Sequence, residues 1–234
     1  MDDKLNNKEI NEEKNDIIKE VKPKKKKPNK DIKIIIVGDS GTGKTSLVNR
    51  YIYNKFAETY SATIGSQFSY KIYKKDDVIY RIQFWDIAGQ DKNPETTGIF
   101  CQNTKGIVLC CEMNVIETRN DTIKWKESIE KNINIENLPI ILVENKCDLL
   151  GNDEKKYNKD LEQLNTFGEN NNLDKCFRTS ALNGFNVEAS FNYLVDEIIK
   201  SLGNNNSEER KDTLKLKKIE QQTHIRSKEK NKCC

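Results

Sequence analysis

Three features of the chain predict an α/β domain with a mostly parallel sheet and helices on both faces. Apolar strand-like runs alternate with helical spacings from about residue 31 to residue 203. Those runs are nearly unbroken in Ile, Val, Leu and Cys, as strands covered on both faces must be. A glycine-rich turn joins the first run directly to the first helical segment.

The elements follow in order. Ile32–Val37 reads as a buried strand and Thr45–Asn54 as a helix, followed by a polar stretch from Lys55 to Ser66. Phe68–Tyr73 and Val78–Trp85 form a strand pair that turns at Asp76-Asp77. Ile107–Cys111 is the next strand. Thr118–Ile133 has helical spacing through Ile123, Ile129 and Ile133. Pro139–Val143 is a strand, Tyr157–Asn170 a helix and Cys176–Thr179 a short strand. Val187–Leu202 is amphipathic, with Phe191, Leu194, Val195, Ile198 and Leu202 on one face, and Gly203 is placed to stop it. In such folds, ligands sit beyond the carboxyl ends of the strands.

Composition divides the chain of 234 residues. Apolar residues make up 35 % and charged residues 33 %, a deficit concentrated at the two ends. Segments that poor in large apolar groups cannot offset their ordering entropy. Residues 1–30 and 204–234 are therefore expected to be disordered tails flanking one domain, 31–203. Net charge is +3, which gives no reason to expect a nucleic-acid partner. The basic cluster Lys22–Lys30, broken by prolines, fits a solvated linker, an anionic-membrane contact or a nuclear address. No apolar stretch is long enough to span a membrane. The start, Met1-Asp2-Asp3-Lys4, has no signal-peptide core, so the cytosol is the expected compartment and the 7 cysteines are expected as thiols. With one histidine, His224, and no paired ligand spacing, a structural metal site is not expected.

The chemistry lies in the connections. Gly38-Asp39-Ser40-Gly41-Thr42-Gly43-Lys44-Thr45-Ser46 follows the first strand and opens the first helix. Glycines let consecutive N–H groups converge, and the helix terminus adds partial positive charge, so the segment captures phosphate. Lys44 would reach the β- and γ-phosphates, and the Thr45 hydroxyl would ligate Mg²⁺. Asp86 ends the third strand and can hold Mg²⁺ directly or through water. Gly89 can bring an N–H to the γ-phosphate, and Gln90 can orient an attacking water. Thr63, in the polar stretch, can close over the metal and the γ-phosphate. Loss of that phosphate would release Thr63 and Gly89 together.

Asn145-Lys146-Cys147-Asp148 selects the base. The Asp148 carboxylate can accept from guanine N1–H and its exocyclic amine at once. Adenine has no amine there, and the mismatch discriminates by about 10⁴-fold. The Lys146 stem can pack on the base, Asn145 can tie the loops together, and Ser180-Ala181 can offer a backbone N–H to guanine O6.

Taken together, these residues resemble a Ras-superfamily small GTPase across about residues 31–203. Gly-Asp-Ser-Gly-x-Gly-Lys-Thr, Trp85-Asp86 and the end Cys233-Cys234 resemble the Rab branch. Ala62-Thr63-Ile64-Gly65, Lys124-Trp125-Lys126 and Leu138-Pro139-Ile140 are similar to Rabs of lysosome-related organelles. The resemblance implies a three-layer P-loop NTPase fold, with six strands of which one is antiparallel. It also implies a monomeric GTP/GDP switch in vesicle and protein transport that uses Mg²⁺ and hydrolyses GTP slowly, with Lys44 and Gln90 as catalytic groups. Exchange factors, GTPase-activating proteins, GDP-dissociation inhibitors, prenylation escort proteins and GTP-state effectors are the implied partners. Phe68, Trp85 and Phe100 match the family's effector-facing aromatics. Cys233 and Cys234 match acceptors of two geranylgeranyl groups, which with the basic tail would tether the protein to the cytoplasmic face of an endosomal or lysosome-related membrane. A scaffold with negligible hydrolysis is the alternative.

Three departures stand out. Gln90-Asp91-Lys92-Asn93-Pro94 replaces the usual Gln-Glu-Arg-aromatic, Leu182 replaces a lysine beside the base, and Cys111-Glu112 replaces a Tyr-Asp pair.

Overall fold

A computed structural model describes residues 30–59, 61–90, 94–151 and 154–203. Its strands are β1 (Lys30–Val37), β2 (Ser66–Lys75), β3 (Val78–Ile87), β4 (Thr104–Glu112), β5 (Ile140–Asn145) and β6 (Lys175–Arg178). The helices are α1 (Lys44–Tyr53), α2 (Pro94–Cys101), α3 (Ile116–Glu130), α4 (Glu154–Asn170) and α5 (187–203), with a 3₁₀ turn at Cys147–Leu150. The strands form one sheet in the order β2-β3-β1-β4-β5-β6. Only β2 pairs antiparallel, to β3. The P-loop NTPase architecture is as expected, with six strands and one of them reversed.

Side chains alternate across the sheet, and both faces are covered. Ile32, Ile34 and Ile36 of β1 point to one face. There they join Phe84, Val108, Leu47 and Tyr51 from β3, β4 and α1, and Phe191, Leu194 and Ile198 from α5. Ile35 and Val37 point to the other face, with Ile107, Leu109 and Leu142, under Trp125 and Ile129 of α3 and Leu164 of α4. This two-sided burial is why Ile34–Val37 of β1 and Ile107–Cys111 of β4 are unbroken apolar runs rather than alternating ones. Phe191 anchors α5, stacking on Tyr51 with ring centroids 4.7 Å apart and meeting Phe84 edge-on at 5.6 Å.

β1 lies between β3 and β4, so the connections after β1 diverge to opposite sides. The loop that follows β1 occupies this topological switch point.

Several boundaries differ from expectation. β1 starts at Lys30, inside the segment assigned to the N-terminal tail. There Asp31 takes a bidentate pair of bonds from Arg81 at 2.9 and 2.5 Å. β5 runs past Val143 through Glu144 and Asn145, because the Glu144 charge is paired inside the protein. The short helix α2 and the 3₁₀ turn were not anticipated. α2 begins at Pro94, whose missing N–H costs nothing in a first helical turn. The stop at Gly203 falls on the last described residue. The terminal extensions, Cys233 and Cys234 lie outside the described residues.

Candidate nucleotide site

The site is assembled where β1, β3, β5 and β6 end. At the first of these ends the chain turns into α1 through Gly43, whose φ is 90°. No side chain caps α1, and its first turn carries no acidic residue. The helix therefore presents open N–H groups and an unneutralised positive end, the arrangement that takes an anion. A Cβ on Gly43 would stand 2.3 Å from Asn145 Nδ2. That close approach lets Asn145 donate to Thr42 O at 3.0 Å. Lys44 is folded over the loop, donating to Gly38 O at 2.8 Å and Asp39 O at 2.9 Å, with its stem buried. From behind, Trp125 Nε1 of α3 donates to Asp39 Oδ1 at 3.0 Å. Thr42 is fully buried, and its hydroxyl bonds Asp39 O, so its side chain shapes the loop instead of facing the cavity.

Three residues far apart in sequence converge beside Lys44. The Thr45 hydroxyl donates to Asp86 Oδ2 and lies 2.9 Å from the Thr63 hydroxyl. Asp86 is 1 % exposed, and its Oδ1 has no hydrogen-bond partner among the described residues. Burial pushes the Asp86 carboxyl up, against the pull of the Thr45 bond and the Lys44 charge. Two hydroxyls and a buried carboxylate with an unmet acceptor fit a small divalent cation that prefers oxygen ligands. None of the described residues forms a His/Cys/Asp/Glu cluster of the kind that holds a structural metal.

The loops carrying Thr63 and Asp86 are joined by backbone: Ala88 N donates to Gly65 O at 2.9 Å. Gly89 packs directly on the phosphate loop, since a Cβ there would stand 2.2 Å from Ser40 N. Gln90 is exposed at the rim of a cavity of about 320 Å³. Ser40, Gly41, Lys44, Ser46 and Thr63 also line this space. So do Phe56 and Glu58 from the stretch after α1, neither singled out by sequence. A phenylalanine within the mostly polar run Lys55–Ser66 was the available signal for Phe56.

The base-recognition residues cluster across β5 and β6. Asn145 Oδ1 accepts from Ala181 N at 3.1 Å and from the Thr179 hydroxyl at 3.3 Å. Of the segment expected to offer an N–H to guanine O6, the Ala181 amide is engaged by Asn145 here. The Ser180 hydroxyl donates to Asp148 Oδ1 at 2.5 Å, fixing the carboxylate expected to meet the base edge. Lys146 adopts φ 66° and pairs with Glu112 Oε2 at 2.7 Å. This pair gives the Cys111-Glu112 departure its physical role: Glu112 orients the lysine that lines the cavity. Leu182 is half exposed, and Arg50 of α1 bonds both Ala181 O, at 2.8 Å, and Leu182 O. Burial pushes the Cys147 thiol up to about 11, which leaves it un-ionised at neutral pH.

The three aromatics form one row outside this site. Phe68 and Trp85 meet edge-to-face at 5.4 Å, and Trp85 lies 6.4 Å from Phe100. Phe68 is 49 % exposed, and Lys33 covers the Trp85 ring at 4.5 Å.

Comparison with known proteins agrees with this geometry. Residues 33–200 match the model of the Ras family. The chain is similar to Ras-related protein Rab-32 of Homo sapiens, 30 % identical over 206 residues, which cover 86 % of this chain and 88 % of that protein. It is similar to Ras-related protein Rab-32C of Dictyostelium discoideum, 34 % identical over 203 residues, covering 87 % and 88 %. Ras-related protein Rab7 of Gossypium hirsutum is 33 % identical over 173 residues, covering 73 % and 83 %. A phosphate loop at the sheet's switch point, a guanine-type recognition loop and this degree of likeness lead to one conclusion: the chain belongs to the Ras family, within it to the Rab small GTPases, and is a GTP hydrolase of the vesicle-trafficking switch class.

Proposed function

We propose that this protein is a monomeric, membrane-tethered switch that hydrolyses GTP slowly and recruits effectors while GTP is bound. The observation that carries the reading is the meeting of Thr45, Thr63 and Asp86, with Gly65 O bonded to Ala88 N. Two separate loops thereby share one point of attachment beside the phosphate loop. Thr45 and Thr63 would hold Mg²⁺ directly and Asp86 through water, and the ion when bound supplies charge neutralisation on the β- and γ-phosphates. Lys44 stabilises the same charge, and Gln90 positions the attacking water with one donor and one acceptor. When the γ-phosphate leaves, the Thr63 loop and the Gly89 segment lose their common anchor and reorder together.

Phe68, Trp85 and Phe100 adjoin these loops and are the surface on which effectors would read the nucleotide state. Exchange factors, GTPase-activating proteins, GDP-dissociation inhibitors and prenylation escorts are the partners such a cycle requires. Prenyl groups on Cys233 and Cys234, with the basic residues of 204–234, would hold the domain of 31–203 on the cytoplasmic face of an endosomal or lysosome-related membrane, cycling with the cytosol.

Single-turnover hydrolysis tests the central assignment. Gln90→Leu is expected to slow hydrolysis by about tenfold or more, since a positioned group of this kind contributes at least that, while GTP affinity stays within about twofold. Equal rates for the two proteins in the presence of an activator would remove Gln90 from the mechanism.

A further inference from the structure

Glu144 is fully buried between two guanidinium groups. Its Oε1 accepts from Arg119 Nη2 of α3, and its Oε2 accepts from Arg178 Nε of β6 at 2.9 Å. Arg178 is 1 % exposed and Arg119 8 %. The other β5 residues on this face, Ile140 and Leu142, are apolar and buried, so an apolar residue at 144 would simply continue the core. Buried ion clusters are weak contributors to stability, and apolar residues of similar volume commonly serve as well or better. What the cluster supplies is direction: both carboxylate oxygens are held by oriented N–H groups from two different elements.

Its position gives that direction a use. Asn145, the first residue of the base-selecting motif, follows Glu144, and Thr179, first of the Thr-Ser-Ala segment, follows Arg178. Backbone bonds continue the stitching, Thr179 N to Glu144 O at 2.9 Å and Cys147 N to Thr179 O at 3.0 Å. Above them the Ser180 hydroxyl fixes Asp148. Arg119 ties the pair to the first turn of α3. The preceding residue, Thr118, accepts Glu112 N at 2.9 Å, and Glu112 holds Lys146. Both segments that would face the base, Asn145–Asp148 and Thr179–Ala181, thus continue directly from residues of this buried cluster.

We infer that Arg119, Glu144 and Arg178 are positioning residues for base recognition: they hold the Asp148 and Ser180 loops in the single register that reads the guanine edge. The inference rests on the nucleotide site described above and concerns which part of the molecule sets its selectivity.

The test compares release of GDP and of inosine diphosphate, which lacks the exocyclic amine, from the full chain loaded with either. A hydrogen bond to a charged acceptor makes the wild type hold GDP roughly tenfold or more longer than inosine diphosphate. The variant Arg119→Met, Glu144→Met, Arg178→Met removes all three charges while keeping volume. It is expected to fold and to let that ratio fall toward one, with the hydrolysis rate of GTP already bound unchanged within about twofold. Arg119→Lys, which replaces the planar guanidinium by a point charge at the less buried position, is expected to lower the ratio in the same direction and gives the reading if the triple variant does not fold. Faster release of both nucleotides with the ratio preserved would make the cluster merely structural and overturn the proposal, as would unchanged release. A wild-type chain that retained neither nucleotide would instead overturn the site itself.

Discussion

At the scale of single residues, the site depends on contacts that tolerate no added atom. Gly89 is the clearest case. Its backbone lies against the phosphate loop so closely that one methyl group would fall 2.2 Å from Ser40 N and 2.4 Å from Asp39 C. Both obstructing atoms are backbone, so neither can swing away as a side chain would. Gly89→Ala must therefore push the Asp86–Gln90 segment off the loop, while the α1 terminus and Lys44 keep their own geometry. The expected result is a protein that still binds guanine nucleotide to within about tenfold but no longer distinguishes its two forms, since the clash falls on one edge of the phosphate loop, at Asp39 and Ser40, and leaves the α1 terminus and Lys44 in place. Hydrogen exchange of residues 61–66 and 86–90 with GDP and with a non-hydrolysable GTP analogue is the measurement. Wild-type differences persisting in the variant would show that the close packing of Gly89 is not part of the switch.

At the scale of elements, α5 is the largest apolar investment on its face of the sheet. Phe191 is fully buried and touches rings from α1 and β3 at once. Phe191→Ala is expected to cost about 3–5 kcal/mol by leaving a cavity that two aromatic neighbours cannot both fill. For a domain of this size that lowers the thermal midpoint by roughly 10 °C. Neither Phe191 nor its ring partners Tyr51 and Phe84 line the nucleotide cavity, so the ratio of GDP to GTP affinity should hold. A change in that ratio larger than the change in stability would mean that α5 is coupled to the site. The elements also show where sequence was readable and where it was not. β1, the phosphate loop and α5 announce themselves, because their burial comes from their own apolar pattern. Asn145–Asp148 does so because its chemistry is local. The end of β5 did not, because a glutamate after Val143 signals solvent unless its partners are known, and those partners are Arg119 and Arg178, 25 and 34 residues away. α2 was hidden for another reason. Its eight residues include Gly98 and lack a strong amphipathic stripe, and it is seated by close packing of Gly98 on Asn132, where a Cβ would meet Oδ1 at 2.3 Å. The Thr45–Thr63–Asp86 meeting was anticipated from chemistry, but its backbone link, Gly65 O to Ala88 N, has no side-chain signature at all.

At the scale of the whole molecule, the two ends of the strands have different work. The edge of the sheet where the parallel strands end, and where the antiparallel β2 begins, carries the nucleotide site. α5 runs back along the sheet, with Leu194 and Ile198 over Gly106 near the start of β4 and Asp196 bonded to Lys75 and Tyr73 at the far end of β2. The chain therefore leaves the domain at the pole opposite the nucleotide, separated from it by roughly 25 Å, the length of an eight-residue strand. The segment from Gly203 to Cys233 is roughly thirty residues and could span at most about 100 Å. Attachment through Cys233 and Cys234 would thus start from the pole opposite the switch loops on a tether long enough to leave them and the Phe68–Trp85–Phe100 row open to partners. Two lipid groups matter here, because one acyl chain of ordinary length holds a membrane only marginally, while each buried CH₂ adds about 0.8 kcal/mol. After enzymatic geranylgeranylation, wild-type protein should float with anionic liposomes, each single Cys→Ser variant should float only in part, and Cys233→Ser with Cys234→Ser should stay in solution. GTP hydrolysis should agree among all four proteins within about twofold, because nothing at the tail's pole touches the cavity. Flotation of the double variant at the wild-type level would place the membrane contact elsewhere in the chain, with the lysines of residues 22–30 the next segment to delete.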